Sequence, residues 1–325
     1  MIRKRLGTNR FFFQRRIEME KSAGKSAKFR LMGKKKRKDL LFAVILLLPT
    51  FYILFKTFLF PIYQSLVWSM YKYHMLDGSD VVFVGFSNFT ALFKNHDFWT
   101  ATYFTGYFTV ISTVAELVLG LFSALLLNQM FRGRVFFRMI IIIPWAMLTL
   151  VNGLLWKWIF QPGNGSFTII LKKIHVLSAS ENPLWLADAH NIINSVVVAD
   201  VWKMTPFMTL LLLAGLQAIP STLYEAAMMD GAGFWKKLWY VTIPQLFPIL
   251  MIAVVLRTIA AFRVYDILTV FTGDPTTSIS YLTFNKAFRY FYLGEASAMA
   301  WVSTAIILVF IVLYIRMLKK NSHEV

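Results

Sequence analysis

Residues 225–248 have the sequence EAAMMDGAGFWKKLWYVTIPQLFP, and they separate two long apolar runs, at about 191–218 and 246–270. The stretch opens with an acidic residue and two alanines and contains an Asp-Gly turn, so it is polar where its neighbours are apolar. A transmembrane helix needs about 20 mostly apolar residues, and both flanking runs are long enough. This arrangement predicts two membrane-spanning helices joined by a short structured loop.

The rest of the chain repeats the same apolar pattern. The protein has 325 residues, of which 58% are hydrophobic and 17% aromatic, and its mean hydropathy is +0.59. This is more apolar surface than one soluble core needs. Runs of transmembrane length lie at about 40–69, 99–129, 136–160, 191–218, 246–270 and 295–317. Because the runs are continuously apolar and do not alternate, they predict helices rather than barrel strands. The predicted fold class is all-α, a polytopic membrane helix bundle of about six transmembrane helices.

Basic residues distinguish the two sides of the predicted membrane. Lys and Arg collect at the cytoplasmic ends of spans, and they are dense in residues 1–38 and in the loop after the second run, which carries Arg132, Arg134 and Arg138. The longer loops, at 70–98, 161–190 and 271–294, hold few basic residues and several acidic ones. We therefore expect both termini and the 225–248 loop to be cytoplasmic, and the three longer loops to face outward.

The same pattern divides the chain into segments. We predict a basic cytoplasmic tail at 1–38, a first transmembrane helix with its outward loop at 39–98, a transmembrane core at 99–318 and a cytoplasmic tail at 319–325. The formal net charge is +18, much of it in the N-terminal tail. Each Lys or Arg beside an anionic membrane leaflet contributes about 1 kcal/mol, whereas the sequence has no zinc or helix-turn-helix pattern of a nucleic-acid-binding protein. The predicted partner of this charge is membrane lipid, not nucleic acid.

The residues that usually carry catalysis are missing or scattered. The sequence has no cysteine, which excludes a disulfide framework and a thiolate nucleophile. Its five histidines are spread over predicted loops and a tail, and no two have the i, i+4 spacing of a helical metal site. We therefore predict no catalytic residue and no metal site, and a protein that is not an enzyme. Work done by such a chain takes its energy from elsewhere, which favours transport.

The 225–248 loop has its own start and stop signals. Residues 222–225, Thr-Leu-Tyr-Glu, fit a capping box at the start of a helix. Ala226 and Ala227 are helix formers whose small side chains allow another surface to approach closely. Asp230 and Gly231 are suited to ending that helix, with the glycine in a left-handed conformation. A helical hairpin lying on the bilayer is the simplest interpretation of these signals.

The spacing in this loop resembles a known family. Glu225-Ala226-Ala227, three residues, Gly231, nine residues and then Val241-Thr242-Ile243-Pro244 is similar to the EAA loop of binding-protein-dependent ABC importer permeases. In that family the loop forms a short coupling helix that docks in a groove of the cytoplasmic ATPase subunit. By this resemblance the docking residues are Glu225, Ala226, Ala227, Asp230, Gly231 and Pro244.

The resemblance covers about residues 40–317. The blocks VGFSNFTALFKNHDFWTA, IIIPWAMLTLVNGLLWKWIF and NPLWLAD are similar to the maltose-type and glycerol-phosphate-type permeases of the carbohydrate-importer subfamily. The resemblance implies a multi-pass protein of the bacterial cell membrane that translocates a sugar or oligosaccharide. It also implies four kinds of partner: a second homologous permease, two ABC ATPase subunits, an extracytoplasmic solute-binding protein and lipid. ATP would be bound and hydrolysed by the ATPase subunits, so the chain would need no cofactor of its own.

Polar residues inside the apolar runs are candidates for the translocation path, because an ionisable group in hydrocarbon usually faces the bundle interior or a water-filled route. The runs contain Lys56, Glu116, Asn128, Asn152, Lys157, Asp200, Lys203, Arg257, Arg263 and Asp266. With the aromatic Trp156, the predicted path residues are Glu116, Asn152, Trp156, Asp200, Lys203, Arg263 and Asp266. Two i, i+3 pairs, Asp200 with Lys203 and Arg263 with Asp266, could instead neutralise each other on one helix face.

Two other functions stay open. One is an ABC permease for a different solute, such as glycerol phosphate, an amino acid or a peptide. The other is an ion-coupled secondary transporter that uses the charged residues of the spans. Secondary transporters often contain internal repeats, and we find none in this sequence, so the importer permease is favoured.

Overall fold

The computed structural model describes residues 36, 38–76, 81–187, 189–271 and 278–321, and the side chains of 189 and 318–321 are not described. Most of the predicted N-terminal tail and the end of the C-terminal tail therefore lie outside the described residues. By its internal contacts the chain divides into two units, Met1–Gln64 and Ser65–Val325. The described part of the first unit is one apolar helix with mostly exposed side chains.

Most of the described residues are helical. The helices of the first half are α1 (Lys38–Ser69), α2 (Ser87–Lys94), α3 (His96–Asn128), α4 (Arg134–Ala146), α5 (Thr149–Ile159) and α6 (Ser166–Lys173). Those of the second half are α7 (Ala189–Ala218), α8 (Ser221–Met229), α9 (Phe234–Lys237), α10 (Ile243–Phe262), α11 (Asp266–Phe271), α12 (Ile279–Phe284) and α13 (Leu293–Asn321). Single π-helical turns occur at Phe55–Leu59 within α1, at Leu238–Thr242 between α9 and α10, and at Asn285–Arg289 after α12.

The predicted all-α membrane bundle is confirmed. Among the described residues, five helical segments are long and apolar enough to cross a membrane: α1, α3, α7, the Phe234–Phe271 segment and α13. A sixth span results if α4 and α5, which meet at 92°, are counted together. The predicted run at 136–160 is therefore not one straight helix. Pro144 lies in the last turn of α4 and has no N–H to donate, and the extended Met147 and Leu148 turn the chain before α5 begins.

The core of the second unit is built around α3 and α7, which form its most extensive helix pair. A Cβ atom added at Gly120 of α3 would lie 2.7 Å from Cγ of Met208 on α7, so the absence of a side chain allows this close approach. Met208 packs with Leu212 of the same helix and with Leu246 of α10, and all three are fully buried. The helices α3, α7 and α10 are thereby held together at the centre of the bundle.

A small sheet and a loop cover one end of the second unit. Strands β1 (Tyr71–Lys72) and β2 (Val82–Phe83) pair antiparallel, with Tyr71 opposite Phe83. Nδ2 of Asn88 at the start of α2 donates to the carbonyl oxygens of Ser69, at 2.8 Å, and Tyr71, at 2.9 Å. These bonds fix α2 against the sheet within the loop that the sequence predicts to face outward.

Candidate coupling helix and translocation path

The helix α8 occupies the position predicted for the coupling helix, between α7 and the last long helical segments. It begins at Ser221, directly after Pro220, and no side chain caps its N-terminus. The predicted capping box is therefore wrong. Pro220 fixes the extended backbone before the helix (φ −59°, ψ 133°), so the helix starts two residues earlier than the box requires and Thr222 already lies within its first turn.

The predicted end of α8 is confirmed. Gly231 has φ +71°, in the left-handed region that glycine adopts without strain. The N–H of Ala232 donates to the carbonyl of Ala227 at 2.9 Å, and the N–H of Gly231 donates to the carbonyl of Met228 at 3.0 Å. This pair of bonds is a Schellman motif, which satisfies the last carbonyls of the helix. The Asp-Gly sequence thus limits α8 to nine residues.

Most of α8 is exposed. Glu225, Ala226 and Asp230 are exposed, and the apolar Met228 and Met229 are 52% and 89% exposed. The hydroxyl of the half-buried Tyr224 hydrogen-bonds to Oγ1 of Thr242 at 3.1 Å.

That contact ties α8 to the π-helical turn before α10. Pro244 follows the turn and lies in the first turn of α10. The helix therefore presents a mixed polar and apolar surface while it is anchored to the base of a membrane-spanning segment.

A cluster of buried charges joins the three central helices. The guanidinium of Arg257 on α10 is 3% exposed, and its Nε donates to Oε2 of the fully buried Glu116 on α3. Its Nη2 donates to Oδ2 of Asp200 on α7, and Oγ of Ser112 lies 3.4 Å from the same nitrogen. One cation thus bridges two carboxylates from two different helices. Charge-assisted bonds of this kind are stronger than neutral ones, so the cluster fixes the relative positions of α3, α7 and α10.

Neither of the two i, i+3 pairs considered for the sequence forms a contact ion pair among the described residues. Asp200 pairs with Arg257, whereas Nζ of Lys203 donates to Oγ1 of Thr149 at 2.6 Å. Arg263 follows the last residue of α10 and Asp266 is the first residue of α11, so these two residues do not share one helix face. The break between α10 and α11 was not visible in the continuous apolar run at 246–270.

Asn152 and Trp156 of α5 lie beside α7 with buried polar atoms. Nδ2 of the fully buried Asn152 approaches the carbonyl of Ala199 at 3.4 Å. Within the described part of the chain, Oδ1 of Asn152 and Nε1 of Trp156 are buried without a hydrogen-bond partner. The Trp156 ring packs edge to face on Trp202 of α7, with centroids 5.9 Å apart. One acceptor and one donor are thus left unpaired beside two indole rings, of which the Trp202 ring is partly exposed.

A second polar surface lies where α10, α12 and α13 meet. A groove of about 470 Å³ is lined by Arg263, Tyr265 and Asp266. The remaining polar lining is made of hydroxyl groups, from Ser280, Thr283, Ser303 and Thr304. The structure therefore separates the predicted path residues into three places: the buried cluster (Glu116 and Asp200), the α5–α7 contact (Asn152, Trp156 and Lys203) and this groove (Arg263 and Asp266).

Arg257 is not among the path residues predicted from the sequence. Its position in an apolar run marks it as unusual, but its partners lie 141 and 57 residues away. Spacing within a helix gives no signal for contacts over such separations. Only the packing of α3, α7 and α10 shows that Arg257 is the common partner of both carboxylates.

The comparisons with known proteins agree with this architecture. Residues 116–321 match the family of binding-protein-dependent transport system inner membrane components. The chain is 41% identical over 241 residues to the trehalose/maltose transport system permease protein MalF of Thermococcus litoralis, covering 72% of this chain and 79% of that protein. It is 32% identical over 288 residues to the sulfoquinovosyl glycerol transport system permease protein SmoG of Agrobacterium fabrum, covering 87% of this chain and 92% of that one.

Solved structures show the same fold. A chain of a bacterial ABC transporter involved in the import of the acidic polysaccharide alginate superposes with a TM-score of 0.75 at 21% identity, covering 90% of this chain and 99% of that one. A second alginate transporter structure, in complex with an alginate pentasaccharide-bound periplasmic protein, gives 0.73 at 23% identity, with coverage of 87% and 94%. The chain belongs to the binding-protein-dependent transport family and is an inner-membrane permease component of an ABC importer.

Proposed function

We propose that this permease translocates a sugar or oligosaccharide that an extracytoplasmic solute-binding protein delivers. The exposed helix α8, with Glu225, Ala226 and Ala227 and a glycine-terminated end, carries the proposal because it is a short, rigid surface suited to receiving force from another subunit. The names of relatives that transport trehalose/maltose and sulfoquinovosyl glycerol support a carbohydrate as the solute.

The proposed assembly contains this chain, a second homologous permease and two ABC ATPase subunits. ATP binds to and is hydrolysed by the ATPase subunits, so this chain acts as a conduit, is not itself an enzyme and has no cofactor or metal of its own. Both termini and α8 lie on the cytoplasmic side, as the distribution of basic residues indicates. The connection of Tyr224 to Thr242 then transmits movement of α8 to the segment that contains α10.

We place the solute route along the α5–α7 contact and the groove at Arg263 and Asp266. The exposed part of the Trp202 ring can stack on a sugar face, and the buried Asn152 and Trp156 atoms without partners become available to hydroxyl groups when α5 moves away from α7. A conduit must bind its cargo weakly enough to release it. Contacts divided between several sites suit that requirement better than one enclosed pocket.

The test of the proposal is to change α8 without changing the membrane spans. A side chain at Gly231 would have open space around it, with no atom within 4 Å of its Cβ, so Gly231→Val adds backbone strain of about 1–2 kcal/mol and no clash. Gly233→Val is the matched control, because Gly233 also has open space but has φ −71°. We expect both variants to insert in the membrane, and only Gly231→Val to weaken ATPase association and solute-stimulated ATP hydrolysis.

The measurement is co-purification of the ATPase subunits with this chain, followed by uptake of a sugar panel into vesicles at fixed ATP. A trehalose, maltose or related glycoside should stimulate hydrolysis, whereas amino acids, peptides and glycerol phosphate should not. Uptake of one of those other solutes would show that the transported solute is not a sugar, and the assignment as an importer permease would stand. Uptake by this chain without any ATPase subunit, driven by an ion gradient, would overturn the coupling role of α8.

A further inference from the structure

Two arginines at one end of the bundle converge on a single amide. Arg134 and Arg138 lie one turn apart at the start of α4, and Gln217 is the second-last residue of α7. With its side-chain oxygen facing them, Gln217 accepts from Nη2 of Arg138 at 2.7 Å and from Nη2 of Arg134 at 2.9 Å. Among the described residues, neither arginine has a carboxylate within 4.0 Å. Two positive charges therefore share a neutral acceptor.

Both guanidinium groups retain unused donors. Each guanidinium has five N–H groups, and in the described part of the chain Nε of Arg134 and Nε of Arg138 are buried without a partner. Like charges at i, i+4 also repel each other. An anion placed beside the pair would accept from both arginines and offset this repulsion.

An apolar groove of about 470 Å³ lies near the pair, between the end of α3 and the first turns of α4. It is lined by Leu126 and Leu127 of α3, Phe131 of the following loop, and Phe137, Ile140 and Ile141 of α4. Ile141 is three residues after Arg138 and seven after Arg134, so it lies on the same helix face as both arginines. Phe137 and Ile140 line the groove from a neighbouring face of α4, so the groove lies beside the arginine pair along the first turns of the helix.

We infer that Arg134, Arg138 and Gln217 bind the phosphate of an anionic phospholipid, with one acyl chain in the apolar groove. The arginine pair lies where one apolar helix begins and another ends, which is the level of lipid headgroups in a membrane bundle. Basic pockets between such helices bind anionic headgroups. An acidic side chain of a partner protein matches the charges but has no part that fills the groove, so the two features together favour lipid.

The test uses the full-length chain purified in a mild detergent and titrated with dioleoyl phosphatidylglycerol or dioleoyl phosphatidylcholine. Bound lipid is counted by native mass spectrometry. We expect phosphatidylglycerol to bind at least about tenfold more tightly, and Arg134→Gln/Arg138→Gln to abolish that preference, since each charge-assisted bond accounts for a factor of this order. The matched control Arg132→Gln removes an exposed arginine of the loop before α4 and should retain the preference.

Two further arms identify the source of the anion. Ile140→Trp, at a 44% exposed position of the groove, should weaken phosphatidylglycerol binding, and inorganic phosphate at the lipid's concentration should not displace it. Should the double variant fail to fold, the single variants Arg134→Gln and Arg138→Gln carry the comparison. The inference is overturned if the arginine substitutions leave the lipid preference intact, or if inorganic phosphate competes as well as the lipid. It is also overturned if the arginine substitutions abolish ATPase association while lipid binding is unchanged.

Discussion

Removal of the Arg257 guanidinium should destabilise the bundle far more than removal of a surface charge. Arg257→Met keeps an apolar stem of similar length but leaves Glu116 and Asp200 without their shared cation. Glu116 is fully buried and the Asp200 side chain is 14% exposed, so water cannot replace the lost bonds at either carboxylate. Breaking a buried ion pair by removing one partner costs about 3–5 kcal/mol.

The expected change in melting temperature follows from this free energy. A domain of comparable size loses about 2–4 °C per kcal/mol of stability, which gives a decrease of roughly 6–20 °C for Arg257→Met. The assay is thermal unfolding of the purified full-length chain in detergent, followed by fluorescence of its ten tryptophans. Lys286→Met is the control, because Lys286 pairs with Glu295 at 2.8 Å where the two side chains are 23% and 47% exposed. A pair of that exposure contributes less than about 1 kcal/mol.

A triple variant separates the charges from the packing. Glu116→Gln/Asp200→Asn/Arg257→Met removes all three charges while it keeps side chains of similar size, and we expect it to recover most of the lost stability. The reasoning is refuted if Arg257→Met melts within a few degrees of Lys286→Met. It is also refuted if the triple variant is no more stable than Arg257→Met, because the damage would then come from lost packing and not from unpaired charge.

Three further outcomes follow from the structure. Gly120→Ala should lower the melting temperature by several degrees, because its Cβ would lie 2.7 Å from Met208 and overpacking typically costs about 1–3 kcal/mol. Gly106→Ala on the same helix has open space and should be neutral. Equal melting temperatures of the two variants would contradict the close approach of α3 and α7. Asp266→Asn, in the exposed groove, should change the concentration dependence of solute uptake without changing the melting temperature; unchanged uptake across the sugar panel would remove the groove from the route. The chain has no native cysteine, so single cysteines can report its orientation in intact cells. A cysteine at Lys236 should not react with an impermeant thiol reagent, whereas one at Ser178 should react. Labelling at Lys236 from outside would reverse the proposed orientation.

The local signals around α8 show how far the sequence could predict the candidate site. The end of the helix was predicted because glycine adopts the left-handed conformation more easily than other residues, and Gly231 has φ +71°. Its start was predicted two residues too late, since two local signals competed. Pro220 fixes the backbone by covalent geometry, and this constraint prevailed over a capping box centred on Thr222.

The sequence by itself determined the features that depend on neighbouring residues: the apolar runs, the all-α class and the short exposed helix. A helix satisfies its backbone within one segment, so composition and length were sufficient to predict it. The tertiary structure decided the 92° bend between α4 and α5 and the choice of Arg257 as the partner of Glu116 and Asp200. Ion pairs between helices depend on which faces meet after packing, and an isolated helix presents Asp200 to Lys203 just as readily. Packing of α3, α7 and α10 brings together residues that are distant in sequence, and their Coulomb attraction in a buried environment then exceeds that of the local alternative.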